Sequence, residues 1–312
     1  MKLYIDRYDE TTSRLDGKTL FCNRLGTSLK EGGLFVTGDP NEQVDISLNV
    51  VCVKHQKSDT RILRLNGVCF DLDRNYKAKN GKLIAALRKA DGVVYQSQFS
   101  RQMCDRFLGT FDGPSRVILN GTRCSSERCQ APNKYSFLTF ARWRVFKRLH
   151  DTIESFLLSD IDDSKLYVVG DVSESGVDLQ QYKTNPKVEF LGQVGQGTLS
   201  HILSFVVGSI HLSWFDSCPN SVVEAVAAGV PVVCGNVGGT KEIVGPSGGF
   251  VCEIDDVYDF EPVRVYDPPP IDRRVVADAI RKCAMGCLVT NDHVSIDNVA
   301  SQYREFMLEV WK

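Results

Sequence analysis

Nowhere does an uncharged apolar run approach the ~20 residues needed to cross a membrane. The first residues, Met1-Lys-Leu-Tyr-Ile-Asp-Arg7, hold neither the apolar stretch nor the small-residue cleavage site of a secretory leader. The expectation is a soluble cytoplasmic protein. An excess of one charge is also missing: 37 Lys and Arg against 39 Asp and Glu leave a formal charge of -2, which gives nucleic acid or an anionic membrane no general hold. Paired cysteine motifs are absent too. The 11 cysteines are odd in number, and the closest pairs, Cys124/Cys129 and Cys283/Cys287, lack the second half of a zinc site. Cys52, Cys69, Cys234 and Cys252 lie in apolar runs and read as small buried hydrophobes in a reducing compartment. His55, His150, His201, His211 and His293 show no metal spacing, and no Gly-x-Ser-x-Gly or Cys/His hydrolase pattern occurs. The histidines read as ordinary surface or core residues.

What is present is a rhythm. In 312 residues, enough for two domains, short apolar runs alternate with longer helix-patterned segments, the signature of parallel strands with helical crossovers. The first part predicts strands at Lys2–Asp6, Leu34–Thr37, Asp45–Val51, Arg61–Leu65, Gly92–Gln96 and Arg116–Leu119. Helices are expected at Lys18–Lys30, Lys82–Ala90 and Ser97–Leu108. The polar stretch 124–134 has few bulky apolar groups and reads as a linker between a domain at 1–123 and a second at 135–294. The second part predicts strands at Ser136–Phe140, Leu166–Val169, Val188–Leu191, Ile210–Ser213, Val230–Cys234 and Phe250–Glu253. Helices are expected at Lys147–Leu158, Thr198–Val207, Ser221–Ala228, Arg273–Met285 and Ser295–Trp311. Any doubly wound α/β protein would show this rhythm, so motifs must decide.

The informative stretch runs from Ser213 to Val244: strand, polar loop, short helix, tight turn, strand, glycine loop, helix start. Asn220 or Ser221 is placed to cap the helix that carries Glu224. The loop amides and the helix N-terminus then face the carboxyl edge of a parallel sheet, where α/β folds bind ligands and where an anion meets unsatisfied donors. Asp216 starts the loop and Glu224 sits on the first turn. Two carboxylates would repel phosphate, so hydroxyls of a sugar or ribose are their fitting partners. Gly229 supplies the φ freedom of a helix stop, and Gly238-Gly239 admits a close backbone approach.

This stretch resembles the family 4 retaining glycosyltransferases. Their signature is an acidic residue, seven residues, then Glu-Ala-Met-Ala-x-Gly-x-Pro-Val-Val, a glycine loop and an acidic residue. Here it stands as Asp216, Ser217 to Val223, Glu224-Ala-Val-Ala-Ala-Gly-Val-Pro-Val-Val233, Gly238-Gly239 and Glu242, without a gap. The first acidic residue is Asp216 where the family usually has Glu, which keeps the charge and shortens its reach. The resemblance implies the GT-B fold, two Rossmann-like doubly wound α/β domains facing a central cleft. It also implies a nucleotide-sugar donor, a carbohydrate or glycoconjugate acceptor, no cofactor and no metal, and it resembles compact members found in microbes and large DNA viruses.

Further site residues follow from that resemblance. Arg142 and Lys147, in Phe140-Ala-Arg-Trp-Arg-Val-Phe-Lys-Arg148, match the cations of the family's Gly-Arg-x-x-x-x-Lys-Gly pattern, with Ala141 and Arg148 replacing its glycines. They are expected on the donor diphosphate, with the loop Cys218-Pro219-Asn220-Ser221 around it and its N–H groups at Cys218, Asn220 and Ser221 as donors. Glu224 is expected on the ribose, Asp216 on the transferred sugar, and Gly192, Gln193 and Val194 beside the nucleobase. Gly17 stands in for the glycine-rich loop that approaches the donor phosphates and is expected to bind the donor, and Asn66 occupies the place where many relatives have a histidine near the sugar. An amide there can hydrogen-bond but cannot act as a general base. The last helix, 295–312, is expected to return to the first domain, and a homodimer is compatible with the reading.

Asp71-Leu-Asp73 also fits the metal-binding Asp-x-Asp of another glycosyltransferase fold, but Asp160-Ile-Asp162 fits it equally, and Arg142 with Lys147 makes a metal unnecessary. The alternatives are a sugar-nucleotide epimerase of the same fold and a relative that binds the donor without transferring it. The favoured reading is hexose transfer with retention. GDP-mannose is the first donor to expect and UDP-glucose the second.

Overall fold

The computed structural model describes residues 1–11, 16–53, 57–124 and 127–311. Part of the loop Arg7–Asp16, His55, and Ser125 and Ser126 of the expected linker lie outside the described residues. The chain divides into two compact units. One comprises Met1–Arg123, Phe260–Val263 and Asp292–Lys312, the other Cys124–Asp259 and Arg264–Asn291.

The first unit runs β1 (Lys2–Ile5), α1 (Gly17–Glu31), β2 (Phe35–Thr37), β3 (Val44–Val50), β4 (Ser58–Leu65), α2 (Tyr76–Leu87), β5 (Gly92–Tyr95), α3 (Gln98–Leu108) and β6 (Ser115–Val117). Its strands form one parallel sheet in the order β2-β1-β3-β4-β5-β6. Successive strand side chains point to opposite faces, and the core divides accordingly. Leu3, Ile5, Ile46, Leu48, Ile62 and Val94 meet Phe21, Leu25 and Leu29 of α1 on one side. Leu63, Leu65, Val93 and Tyr95 meet Leu83, Leu87, Cys104 and Leu108 of α2 and α3 on the other. Helix α2 starts at Tyr76, well before the expected Lys82, because the Asn75 side chain accepts from the Ala78 N–H at 3.0 Å and caps a polar first turn.

The second unit runs β7 (Tyr135–Phe140), α4 (Leu149–Leu158), β8 (Ser164–Val169), β9 (Val188–Gly192), α5 (Gln196–Phe205) and β10 (Gly208–His211). It continues with α6 (Asn220–Ala227), β11 (Val232–Gly235), α7 (Thr240–Val244), β12 (Gly249–Cys252) and α8 (Arg273–Ala284). The sheet is again parallel, in the order β12-β11-β10-β7-β8-β9. The carboxyl ends of β7 to β11 therefore place their following loops along one edge.

The final helix, α9 (Ile296–Val310), is counted with the first unit, whose core includes its Ile296, Val299, Ala300, Tyr303, Phe306 and Met307. Burying each of the larger ones contributes about 1.5–3 kcal/mol. Residues of the expected linker are held to the second unit. Arg128 donates to the carbonyls of Leu203 and Val206 at 3.1 and 2.5 Å, and the Cys129 N–H to that of Ser204 at 3.0 Å. These residues supply donors to the carbonyls left open where α5 ends, which is why a polar segment without apolar anchors packs on the second unit.

Candidate active site

The site is built in the second unit where β10 gives way to α6. The chain leaves His211, crosses the loop 212–219 and enters α6 with Pro219 at the N-cap, φ -69° and ψ 123°. Among the described residues the Pro219 N-cap gives the helix no side-chain capping hydrogen bond. The expectation that Asn220 or Ser221 would cap it is corrected: the Ser221 hydroxyl lies 3.4 Å from Nδ1 of His211 instead. The Cys218 N–H bonds to the Asp216 carboxylate, so one of the amides expected on phosphate is held by an acidic side chain. Glu224 is half-buried and is the fifth residue of α6, on the second turn rather than the first.

Asp216 is fixed from behind. Its carbonyl accepts from the Gly239 N–H at 2.8 Å, and a Cβ on Gly238 would lie 2.9 Å from that same oxygen. With φ at +94°, Gly238 is a position only glycine fills without strain. In front, Lys147 forms an ion pair with Asp216, the two side chains 14% and 23% exposed. Lys147 ends a 3-10 turn, Val145–Lys147, locked to the motif loop by the Trp214 N–H on the Phe146 carbonyl at 2.9 Å. Burial alone would raise the Asp216 pKa. The charge of Lys147, the adjacent His211 ring, and the Lys147 and Cys218 hydrogen bonds outweigh it and hold the carboxyl below its usual range.

His211 is a component that sequence reasoning passed over. It is buried, its Nε2 has no hydrogen-bond partner, and burial, helped by Lys147 and opposed by Asp216, pushes its pKa down to about 3. It therefore stays neutral at physiological pH. The available signal was its place, a polar residue at the end of an interior strand directly before the motif.

Arg142 is not beside Asp216 in ion-paired contact. Its guanidinium is 64% exposed and donates to Glu174 at 2.7 Å, a carboxylate shared with Arg144 at 3.2 Å. Arg148 holds a second surprise. It takes φ +54°, in the left-handed region, at the position where the family pattern has glycine. The conformation is held by a buried bidentate ion pair with Asp255, at 2.8 and 2.5 Å, and by a bond to the Pro269 carbonyl at 3.1 Å.

At the neighbouring strand ends the Gly170 N–H donates to the Gly192 carbonyl at 2.7 Å. A Cβ on Gly170 would lie 1.8 Å from the Ala141 carbonyl oxygen, so the turns after β7, β8 and β9 are laced together. Gly192 and Gln193 are exposed and Val194 half-buried. The structure thus gathers Lys147, Asp216, Cys218 and Ser221, and keeps Arg142 on Glu174.

Gly17 and Asn66 belong to the first unit. Gly17 is the exposed first residue of α1. Asn66 follows β4, and its Oδ1 accepts from Arg64, a guanidinium 1% exposed. Asp71 is paired with Arg74 at 3.1 Å and accepts from the Asp73 N–H at 3.3 Å, so the Asp-x-Asp stretch is a turn stapled on itself.

Comparison with known proteins bears on this arrangement. Residues 134–261 match the family model described as glycosyl transferases group 1. N-acetyl-alpha-D-glucosaminyl L-malate synthase of Bacillus anthracis is 31% identical over 122 residues, 37% of this chain and 31% of that protein, so the match spans about a third of the relative's length. Among solved structures, sucrose-phosphate synthase from Thermosynechococcus elongatus is 15% identical and superposes with a TM-score of 0.68 over 100% of this chain and 95% of its own. Anabaena HepE in complex with UDP, 14% identical, gives 0.63 over 99% and 100%. The whole chain has the GT-B fold of two Rossmann-like domains, and its residues 134–261 match the glycosyl transferases group 1.

Proposed function

We propose that the chain is a retaining glycosyltransferase that moves a hexose from a nucleotide sugar to a hydroxyl acceptor. The observation that carries this reading is the Lys147–Asp216 pair in front of the side-chain-uncapped N-terminus of α6, inside the region that matches the glycosyl transferases group 1. When the sugar–phosphate bond breaks, charge develops on the departing nucleoside diphosphate. A fixed ammonium and helix amides stabilise such charge best where water is excluded. Lys147 takes that role, and Arg142 joins it by leaving Glu174. Asp216 orients the sugar, Glu224 holds the ribose and the turn Gly192–Val194 flanks the base. Gly17 serves the donor phosphates, and the acceptor enters near Asn66 and Gly17. These roles and the retention of configuration follow the family resemblance.

For the donor, GDP-mannose rests on resemblance alone. HepE has been captured with UDP and with UDP-glucose, which supports a UDP-sugar as the first candidate here. No metal is needed in this scheme, because cations and amides neutralise the diphosphate. Calorimetric titration with GDP, UDP, ADP and their sugars, with EDTA present throughout, tests the reading. The expected result is UDP binding at least about tenfold tighter than GDP, with donor turnover retained in EDTA. Absence of binding by every nucleoside diphosphate overturns the transferase reading, and turnover lost in EDTA and restored by manganese overturns the metal-free scheme.

A further inference from the structure

The first unit gathers cations that the proposed chemistry does not use. Arg7, just beyond β1, takes a left-handed φ of +68°. Its Nη1 lies 3.8 Å from Asp16, and its Nε is buried without a hydrogen bond. Lys18, on the first turn of α1, has no hydrogen bond or ion pair among the described residues. Lys18 is exposed, and partial desolvation, followed by the charges of Arg7 and Arg64, pushes its pKa down against the opposing charge of Asp16. Arg64 is buried on β4 and its partners among the described residues are neutral: Nε on the Tyr303 hydroxyl at 3.1 Å, Nη1 on Asn66, Nη2 on Asn120, the Gln96 amide against both Nη atoms and Asn66, and the Phe21 ring 4.1 Å away. Guanidinium groups only donate, so the Asn66 atom facing Arg64 is oxygen. The Asn66 Nδ2 faces elsewhere, and it is buried without a partner.

Nearby carboxylates do little to quench this field. Asp16 is engaged as the N-cap of α1, accepting from the N–H and hydroxyl of Thr19 at 3.3 and 2.8 Å, as well as in the contact with Arg7. Asp6 is buried. A guanidinium ringed by amide and hydroxyl oxygens keeps its full charge, and like charges converging on one strand edge repel until an anion joins them. We infer that Arg7, Lys18 and the Asn66 amide, backed by Arg64, form a subsite for a carboxylate or phosphate group. Resting on the transferase reading, this makes the sugar acceptor an anionic molecule rather than a neutral glycan.

Titration of the full chain with inorganic phosphate and, separately, with succinate tests this, with saturating UDP present to fill the diphosphate position. At least one anion should bind, and the stronger one identifies the group. Lys18→Ala and Arg7→Ala should each weaken that binding about fivefold or more, while Lys18→Arg restores it and the exposed control Lys89→Ala leaves it intact. Failure of both anions to bind, or equal loss in Lys89→Ala, overturns the subsite. A tenfold or so loss of UDP affinity in Lys18→Ala overturns it as well, by giving these cations to the donor phosphates. A parent chain that binds no UDP refutes the transferase reading instead, and the same anion titration without nucleotide then decides the subsite by itself.

Discussion

Replacing Lys147 with alanine strips Asp216 of its counter-ion while leaving its burial in place. Both side chains are less than a quarter exposed. Opposite charges in hydrogen-bond contact at an effective dielectric of about 20 attract by roughly 5 kcal/mol before desolvation is subtracted. Desolvating both partners consumes most of that, so a double-mutant cycle of Lys147→Ala and Asp216→Asn should return a coupling of about 1–3 kcal/mol in chemical denaturation. The pH dependence has a definite sign. In the parent the Asp216 pKa is depressed, so its contribution is present above the unfolded pKa and lost as pH falls through the folded one. Without Lys147 the burial effect prevails, the carboxyl pKa rises, and the acid limb of turnover moves to higher pH. Turnover itself should fall by about 100–1,000-fold, as when a donor to developing charge is removed, with a smaller loss in nucleotide affinity. A coupling below about 0.5 kcal/mol, or an acid limb that does not move, would refute the reasoning.

Other outcomes follow from neighbouring residues. His211, with its pKa lowered from 6.5 to about 3, should cost stability as pH falls below 6.5, at up to ~1.4 kcal/mol per pH unit. Denaturation curves of His211→Leu should lack this component, and an imidazole resonance titrating near neutrality would sink the assignment. Arg148→Ala leaves Asp255 buried and unpaired, at a cost of about 3–5 kcal/mol. Arg148→Gly breaks the same pair but relieves the left-handed strain, so it should be more stable than the alanine variant by about 1 kcal/mol; urea midpoints in the opposite order would count against the strain. Glu224→Ala should weaken nucleoside diphosphate binding by about 1.5–3 kcal/mol, and unchanged affinity in calorimetry would remove Glu224 from the ribose.

Strand positions were legible because interior parallel strands are nearly continuous apolar runs, and Ile62 to Leu65 or Gly92 to Tyr95 have few other ways to be buried. The start of α2 was hidden because Lys77, Lys79, Asn80 and Gly81 carry no apolar periodicity and only the Asn75 cap marks it. The motif from Asp216 to Glu242 showed through because its chemistry is local in sequence. What stayed hidden depends on distant partners: Arg148 meets Asp255 across 107 positions, Lys147 meets Asp216 across 69, and neither pairing leaves a trace in spacing. Arg142 was placed by pattern alone, and pattern does not show Glu174 reaching back to it.

The return of α9 to the first unit has a consequence for how the protein is made. A ribosome delivers the chain from its N-terminus, and domains ordinarily consolidate in that order. Here residues 1–123 emerge with one face of their sheet still lacking Val299, Tyr303, Phe306 and Met307. The second unit has its whole β7–β12 sheet and α8 in hand before α9 is synthesised. The unit whose strands are made first is completed only after the other, leaving apolar surface waiting on the nascent chain until α9 emerges.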